Sequence, residues 1–200
     1  MYKENKNITL QYYNQNAGSF VSSTIHADLT DTQNRFLSRL EPGAAILDFG
    51  CGSGRDTKYF LEHGYQVDAM DGSEELCKIA STYTGIPVRQ MYFQDLDVLD
   101  RYDGIWACSS ILHLEKTELK SVLPKMADAL RSGGWIYTSF KYGEFEGMRN
   151  GRYFTDFTWS SFQRFIRVIE TLSIAESWVT GDVRPGRKEE KWLNLLLQKR

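Results

Sequence analysis

The pattern of apolar and polar positions changes character near residue 44. Before it, Leu10, Tyr13 and Ala17, and then Phe36, Leu37 and Leu40, recur at three- and four-residue spacing, which predicts helices over residues 5–40. Asp28 or Thr30 is placed to cap the second of these, and Glu41-Pro42-Gly43 ends the segment. From residue 44 short apolar runs alternate with helical patterns. Ala44 to Phe49 is continuously apolar except for Asp48, as expected of a strand covered on both faces. A helix over 55–63 is closed by Gly64, and Tyr65 to Met70 is a second strand. Ser73-Glu74-Glu75-Leu76 opens a helix with an acidic first turn. Strands are expected at Val88 to Phe93 and Tyr102 to Cys108. An amphipathic helix over Thr117 to Leu130 follows, with Leu119, Val122, Leu123 and Met126 on one side. Ser132-Gly133-Gly134 turns into a fifth strand, Trp135 to Phe140.

Repeated strand–helix alternation implies a doubly wound α/β fold, a parallel sheet with helices on both faces. The tail departs from it. After a helix near 159–169, Ile174 to Val179 and Lys191 to Gln198 are two strands joined by a turn containing Gly181, Pro185 and Gly186. Strands so joined run antiparallel, so the mostly parallel sheet carries a reversed strand at its end.

The chemistry concentrates where the first strand ends. Asp48-Phe49-Gly50-Cys51-Gly52-Ser53-Gly54 is a glycine loop between a strand and a helix, a place where backbone closely approaches a ligand. Asp71 ends the second strand, where a carboxylate reaches a ribose diol. Loop and acid together indicate an adenosine-type ligand. A dinucleotide fingerprint would put its third glycine at 55, but that position is Arg55 and the glycine is Gly54. Asp48 would oppose a pyrophosphate and suits a cationic ligand.

Four segments resemble class I S-adenosylmethionine-dependent methyltransferases: residues 47–54, Val67-Asp68-Ala69-Met70-Asp71-Gly72-Ser73, Tyr102-Asp103-Gly104-Ile105-Trp106-Ala107 and Leu130-Arg131-Ser132-Gly133-Gly134. The Gly54-Arg55-Asp56 continuation is similar to the small tellurite-resistance-type branch. The resemblance implies a Rossmann-like, seven-stranded, mostly parallel sheet whose added strand is antiparallel, and S-adenosylmethionine as methyl donor, leaving S-adenosylhomocysteine. It assigns Gly50, Gly52 and Gly54, with Ser53 and Arg55, to the methionyl part, and Asp48 to its ammonium. Asp71 would take the ribose hydroxyls, with Gly72 and Ser73 behind the adenine. Asp95 and Leu96 would meet its amino edge and face, Asp97 being an alternative register. Ala107, Cys108 and Ser109 would lie under the methyl group. Tyr13 (or Tyr12) would cover the methionyl end.

A single domain is expected: a helical lid over 1–40, a cofactor-binding core over 44–142, a long polar loop on the substrate side over 143–158, and a helix with a strand pair over 159–200. His113 is the candidate general base, competing with a structural role as a hydrogen-bonded histidine flanked by leucines. The loop mixes Arg149, Arg152, Glu144 and Glu146, and so either recognises a small polar or anionic acceptor or is a solvated flap.

Composition narrows the partner. The 200 residues are 42% hydrophobic and 25% charged with a net charge of −2, which gives no general attraction to nucleic acid or anionic lipid. Arg184, Arg187, Lys188, Lys191, Lys199 and Arg200 cluster near the end, diluted by Glu189 and Glu190. The three cysteines, Cys51, Cys77 and Cys108, have no metal-ligand spacing, so no metal site is expected. No apolar run could span a bilayer, and Met1 to Asn7 lacks a signal-peptide core, which points to a cytoplasmic enzyme of a small-molecule acceptor. A nucleic-acid or protein methyltransferase, and a non-catalytic cofactor-binding module, are the alternatives.

Overall fold

The computed structural model describes residues 2–184, 186–187 and 189–200, with side chains from Ile8 onward. Met1, Pro185 of the expected turn and Lys188 of the basic cluster lie outside the described residues. In chain order the elements are helices α1 (Tyr2–Gln15), α2 (Ala17–Thr24) and α3 (Thr30–Leu37), strand β1 (Ala45–Phe49), α4 (Arg55–Glu62), β2 (Gln66–Asp71), α5 (Glu74–Thr84), β3 (Val88–Gln90) and β4 (Tyr102–Ala107). They continue as α6 (Lys116–Ala129), β5 (Leu130–Lys141), β6 (Glu146–Arg149), β7 (Arg152–Thr155), α7 (Trp159–Ile166), β8 (Leu172–Gly181) and β9 (Lys191–Lys199).

Seven strands form one sheet in the order β3-β2-β1-β4-β5-β9-β8. The neighbours from β3 to β5 pair in parallel, while β9 is antiparallel to both β5 and β8. The reversed strand is therefore last in the chain but sixth in space. Leu193, Leu195, Leu196 and Leu197 of β9 are buried, whereas β8 is only partly covered along most of its length. The strand with apolar residues on both faces takes the interior position, and the more polar strand takes the edge.

Strand alternation divides the core. Ile46 on β1, Trp106 on β4, Tyr137 on β5 and Leu196 on β9 share one face and pack with Phe36 of α3 and Phe60 of α4. Leu47, Ile105, Ile136, Leu195 and Leu197 face the other way, against Leu119, Val122 and Met126 of α6 and Phe162 of α7. Asp48 shares the face of Ile46 and is 2% exposed, so it points toward α4 beneath the glycine loop.

The fifth strand starts at Leu130, five residues before the expected Trp135, and two further differences from expectation bear on the site. The third strand ends at Gln90 instead of Phe93, because its one partner, β2, ends opposite it at Asp71. With no neighbour beyond that point, the chain turns through a short 3-10 helix, Phe93–Asp95. The expected loop over 143–158 is mostly a hairpin, β6 paired antiparallel with β7, turning at Asn150 (φ 51°) and Gly151 (φ 76°). Two consecutive left-handed residues make the hairpin turn that Asn-Gly favours. Among the described residues, no helix is long and apolar enough to cross a membrane.

Candidate active site

The carboxyl ends of β1, β2 and β4 converge on a cavity of about 230 Å³. In an open parallel sheet this switch point, where strand order reverses beside β1, is where ligands bind. The floor is the Gly50–Ser53 loop, and Asp71, Gly72 and the stretch Met91 to Gln94 form one side. Ser109, Ser110 and His113 form the other, and the N-terminal helices and the β6–β7 hairpin close the top.

The glycine loop keeps side chains out of this space. Gly52 has φ 56°, and a Cβ there would stand 3.1 Å from the Phe20 ring. Gly54 has φ 80° at the start of α4. A Cβ on it would meet Thr84 Cγ2 at 2.8 Å, so this third glycine serves the packing of α4 on α5 and does not line the cavity.

Asp71 closes β2 as expected. Its Oδ2 accepts the Gly52 N–H at 2.9 Å and its Oδ1 accepts the Ser73 N–H at 2.8 Å. Burial raises its carboxyl pKa, only partly offset by the backbone N–H groups of Ser73, Gly52 and Gly72. Each carboxylate oxygen accepts two hydrogen bonds, so acceptor capacity remains on the cavity side. A partly buried carboxylate with that capacity matches a ribose diol, which supplies two hydroxyl donors. The residues present therefore fit an adenosyl cofactor.

Asp48 departs from its expected place. Its Oδ2 accepts a hydrogen bond from Thr57 Oγ1 at 2.6 Å, and it does not line the cavity. The pleat turns it to the α4 face, where burial first, and neighbouring Asp56 second, push its carboxyl above the usual range. Asp56 holds the charge instead. Burial alone would raise it, but Arg55 binds both its oxygens at 2.8 Å, and Trp106 Nε1 (2.9 Å) and Gln33 Nε2 (2.7 Å) add donors. Arg55 lines the cavity and also reaches the Thr24 carbonyl at 3.2 Å, tying the end of α2 to the loop.

The remaining expected residues divide similarly. Tyr13, Gly50, Gly52, Ser53, Arg55, Asp71, Gly72, Ser109 and His113 line the cavity. Ser73 does not; it caps α5 through Leu76 N–H and donates to Asn14 Oδ1 at 2.6 Å, fastening α1 over the β2 end. Asp95 and Asp97 are both exposed and Leu96 is in the core, because the 3-10 helix turns them away and leaves Met91 to Gln94 as the wall. Ala107 is buried inside the sheet, one residue short of the cavity.

The lid carries the most informative contact. The Tyr13 hydroxyl lies 2.8 Å from His113 Nε2, and His113 Nδ1 lies 2.6 Å from the Tyr153 carbonyl oxygen. A carbonyl only accepts, so Nδ1 bears the proton. Burial holds the imidazole neutral and lowers its pKa to about 4, against the raising effect of the Tyr153 carbonyl, with Arg152 and Arg149 lowering it further. Nε2 therefore accepts from Tyr13. Arg152 Nη1 donates to the same hydroxyl oxygen at 3.3 Å. Burial also raises the Tyr13 pKa. His113 thus borders the cavity without presenting a free lone pair to it. Its lone pair is engaged by the lid tyrosine.

Sequence reasoning missed Phe20, Phe93 and the C-terminal turn that brings Asp182 and Arg184 to the rim. Only the basic cluster at Arg184 and Arg187 hinted at that turn.

Comparison with known proteins agrees with this geometry. Residues 46–134 match the model of a methyltransferase domain family. An O-methyltransferase, cnsE, from Penicillium expansum is 31% identical over 106 residues, covering 48% of this chain and 38% of that protein. The ubiquinone biosynthesis O-methyltransferase of Xanthomonas axonopodis pv. citri (strain 306) is 31% identical over 110 residues, 51% of this chain and 45% of its own. The chain thus spans less than half the length of these curated relatives. Among solved structures, the 1,6-didemethyltoxoflavin-N1-methyltransferase of Burkholderia thailandensis superimposes with a TM-score of 0.79 at 23% identity, over 100% of this chain and 90% of that one. At that identity the likeness establishes the fold. The strand order, the glycine loop with Asp71 at the next strand end, and the methyltransferase-domain match over residues 46–134 together make this chain similar to class I S-adenosylmethionine-dependent methyltransferases.

Proposed function

We propose that this protein transfers a methyl group from S-adenosylmethionine to a small-molecule acceptor. The observation that carries the reading is Asp71, a partly buried carboxylate held by Gly52 and Ser73 N–H groups with acceptor capacity left beside the cavity it lines. When bound, the cofactor supplies an electrophilic methyl on a sulfonium, so the protein's task is mainly alignment and exclusion of water.

The residues divide that task. Asp71 would hold the ribose, and the Gly50–Ser53 backbone would bear the methionyl part. Met91 to Gln94 would flank the adenine. Asp48 would act from beneath, through Thr57 and the loop. Leu10, Tyr13 and Phe20 of the lid would keep water from the reacting centre. His113 would hold the Tyr13 hydroxyl in place. A proton leaving the acceptor would reach His113 only by way of that hydroxyl.

Two further facts support a small acceptor. The similar proteins include O-methyltransferases and a methyltransferase solved with 1,6-didemethyltoxoflavin and S-adenosylhomocysteine. The net charge of −2 offers nothing to a nucleic-acid backbone. Isothermal titration is expected to give binding of S-adenosylhomocysteine and none of NAD; the reverse result would end this reading. Radiolabelled cofactor screened against phenols, amines, thiols, small acids, oxyanions and bulk RNA would then identify the acceptor class. Label appearing in RNA alone would refute the small-molecule assignment.

A further inference from the structure

Among the described residues, the cations lining the cavity are, with one exception, already neutralised. Arg55 is paired with Asp56, Arg184 with Asp182, Arg187 with Glu190, and Lys141 with Asp182 and Glu190. Arg149, the neighbouring hairpin arginine, gives two hydrogen bonds to Asp156. Arg152 lines the cavity and has no carboxylate partner among the described residues. Among the described residues its one side-chain hydrogen bond runs from Nη1 to Tyr13 Oη, and its Nε–H is buried without an acceptor.

The free edge has a defined chemistry. In Arg55 and Arg184, Nε and Nη2 together take the two oxygens of one carboxylate. Arg152 has no such occupant on the same Nε/Nη2 edge. Its guanidinium lies 4.5 Å from the Tyr12 ring centroid and 5.2 Å from that of Phe154, so its plane is braced by aromatic faces. The strand beneath is held as well, since Tyr153 N–H donates to Thr9 Oγ1 at 3.0 Å. Tyr13, Phe20, Tyr92, Phe93 and Phe154 give the cavity flat apolar walls. An unopposed guanidinium fork in a partly desolvated, aromatic-walled space selects a planar group bearing an anionic oxygen pair.

We infer that the methyl acceptor is a small planar organic acid, and that Arg152 is the residue that recognises its anionic group. The inference rests on the methyltransferase reading and specifies its substrate.

The test uses pairs of one- and two-ring hydroxylated aromatic acids and their amides, such as 3,4-dihydroxybenzoate and 3,4-dihydroxybenzamide. They are titrated into the full chain saturated with S-adenosylhomocysteine. At least one acid is expected to bind roughly 10- to 100-fold more tightly than its amide, the factor for a charge-assisted pair. Arg152→Gln should bring the acid to the level of the amide while leaving S-adenosylhomocysteine affinity within twofold. Arg152→Lys should recover only part of the preference, because it keeps the charge without the fork. Equal binding of acid and amide by the unaltered protein, or binding of no acid at millimolar concentration, overturns the inference and needs no variant. Loss of S-adenosylhomocysteine binding in Arg152→Gln also overturns it, assigning Arg152 to the cofactor instead. Failure of the unaltered protein to bind S-adenosylhomocysteine would defeat the methyltransferase reading itself.

Discussion

Asp71→Asn probes the cofactor assignment most directly. Asp71 accepts backbone N–H groups on both oxygens, at 2.9 and 2.8 Å. An asparagine can keep one of these bonds through its carbonyl, but its amide group must then face the other N–H. The remaining oxygen has less capacity for a ribose diol and no charge with which to strengthen the bond. Loss of one charge-assisted hydrogen bond costs about 1.5–3 kcal/mol. That corresponds to roughly a 10- to 150-fold weaker dissociation constant for S-adenosylhomocysteine. The variant should keep its fold, because burial disfavours the charge being removed. Isothermal titration with S-adenosylhomocysteine and with its 2′-deoxy analogue separates ribose recognition from general damage. In the unaltered protein the analogue should bind more weakly, and in Asp71→Asn most of that difference should disappear. An analogue penalty of equal size in both proteins would refute the assignment, even if the variant bound less tightly.

Two further perturbations address the lid histidine and the support beneath the loop. The folded pKa of His113 lies near 4, below its ordinary 6.5, so its contribution to stability is complete above pH 6.5 and is lost as pH falls toward 4. The full span is at most ~3 kcal/mol. Urea unfolding between pH 7.5 and 4.5 should show a shallower acid loss for His113→Gln, and identical slopes would mean that the histidine titrates normally. Asp56→Asn would leave the Arg55 guanidinium without its buried counter-charge and is expected to cost about 3–5 kcal/mol. Tryptophan fluorescence in a urea titration reads this through Trp106, which donates to Asp56; a change below about 1 kcal/mol would show that the pair is not a major support.

The strand–helix order, the glycine loop, Asp71 and the reversed tail were legible in the sequence because each depends on local pattern. A continuous apolar run specifies a strand covered on both faces, and Ser73 before two glutamates specifies a helix start wherever the segment lies. The Asn150-Gly151 turn is equally local, but the polar stretch around it lacks the apolar alternation that marks strands. Other features belong to the tertiary structure. Asp48 reads as a ligand in a motif, yet the pleat sends it to the α4 face and Thr57. Asp95 follows a strand whose end was set by where its neighbour stopped, so the cavity wall moved back to Met91 to Gln94.

The sequence by itself determined the fold class and the kind of cofactor, since both are written in short-range periodicity and in residue types at one strand end. Only the tertiary structure brought Tyr13, His113 and Arg152 together, from positions 100 and 139 residues apart. It also decided which arginines were already paired. Hydrogen bonds and charge neutralisation act through space, and nothing in the local pattern distinguishes Arg149, which has Asp156, from Arg152, which has no acidic partner among the described residues.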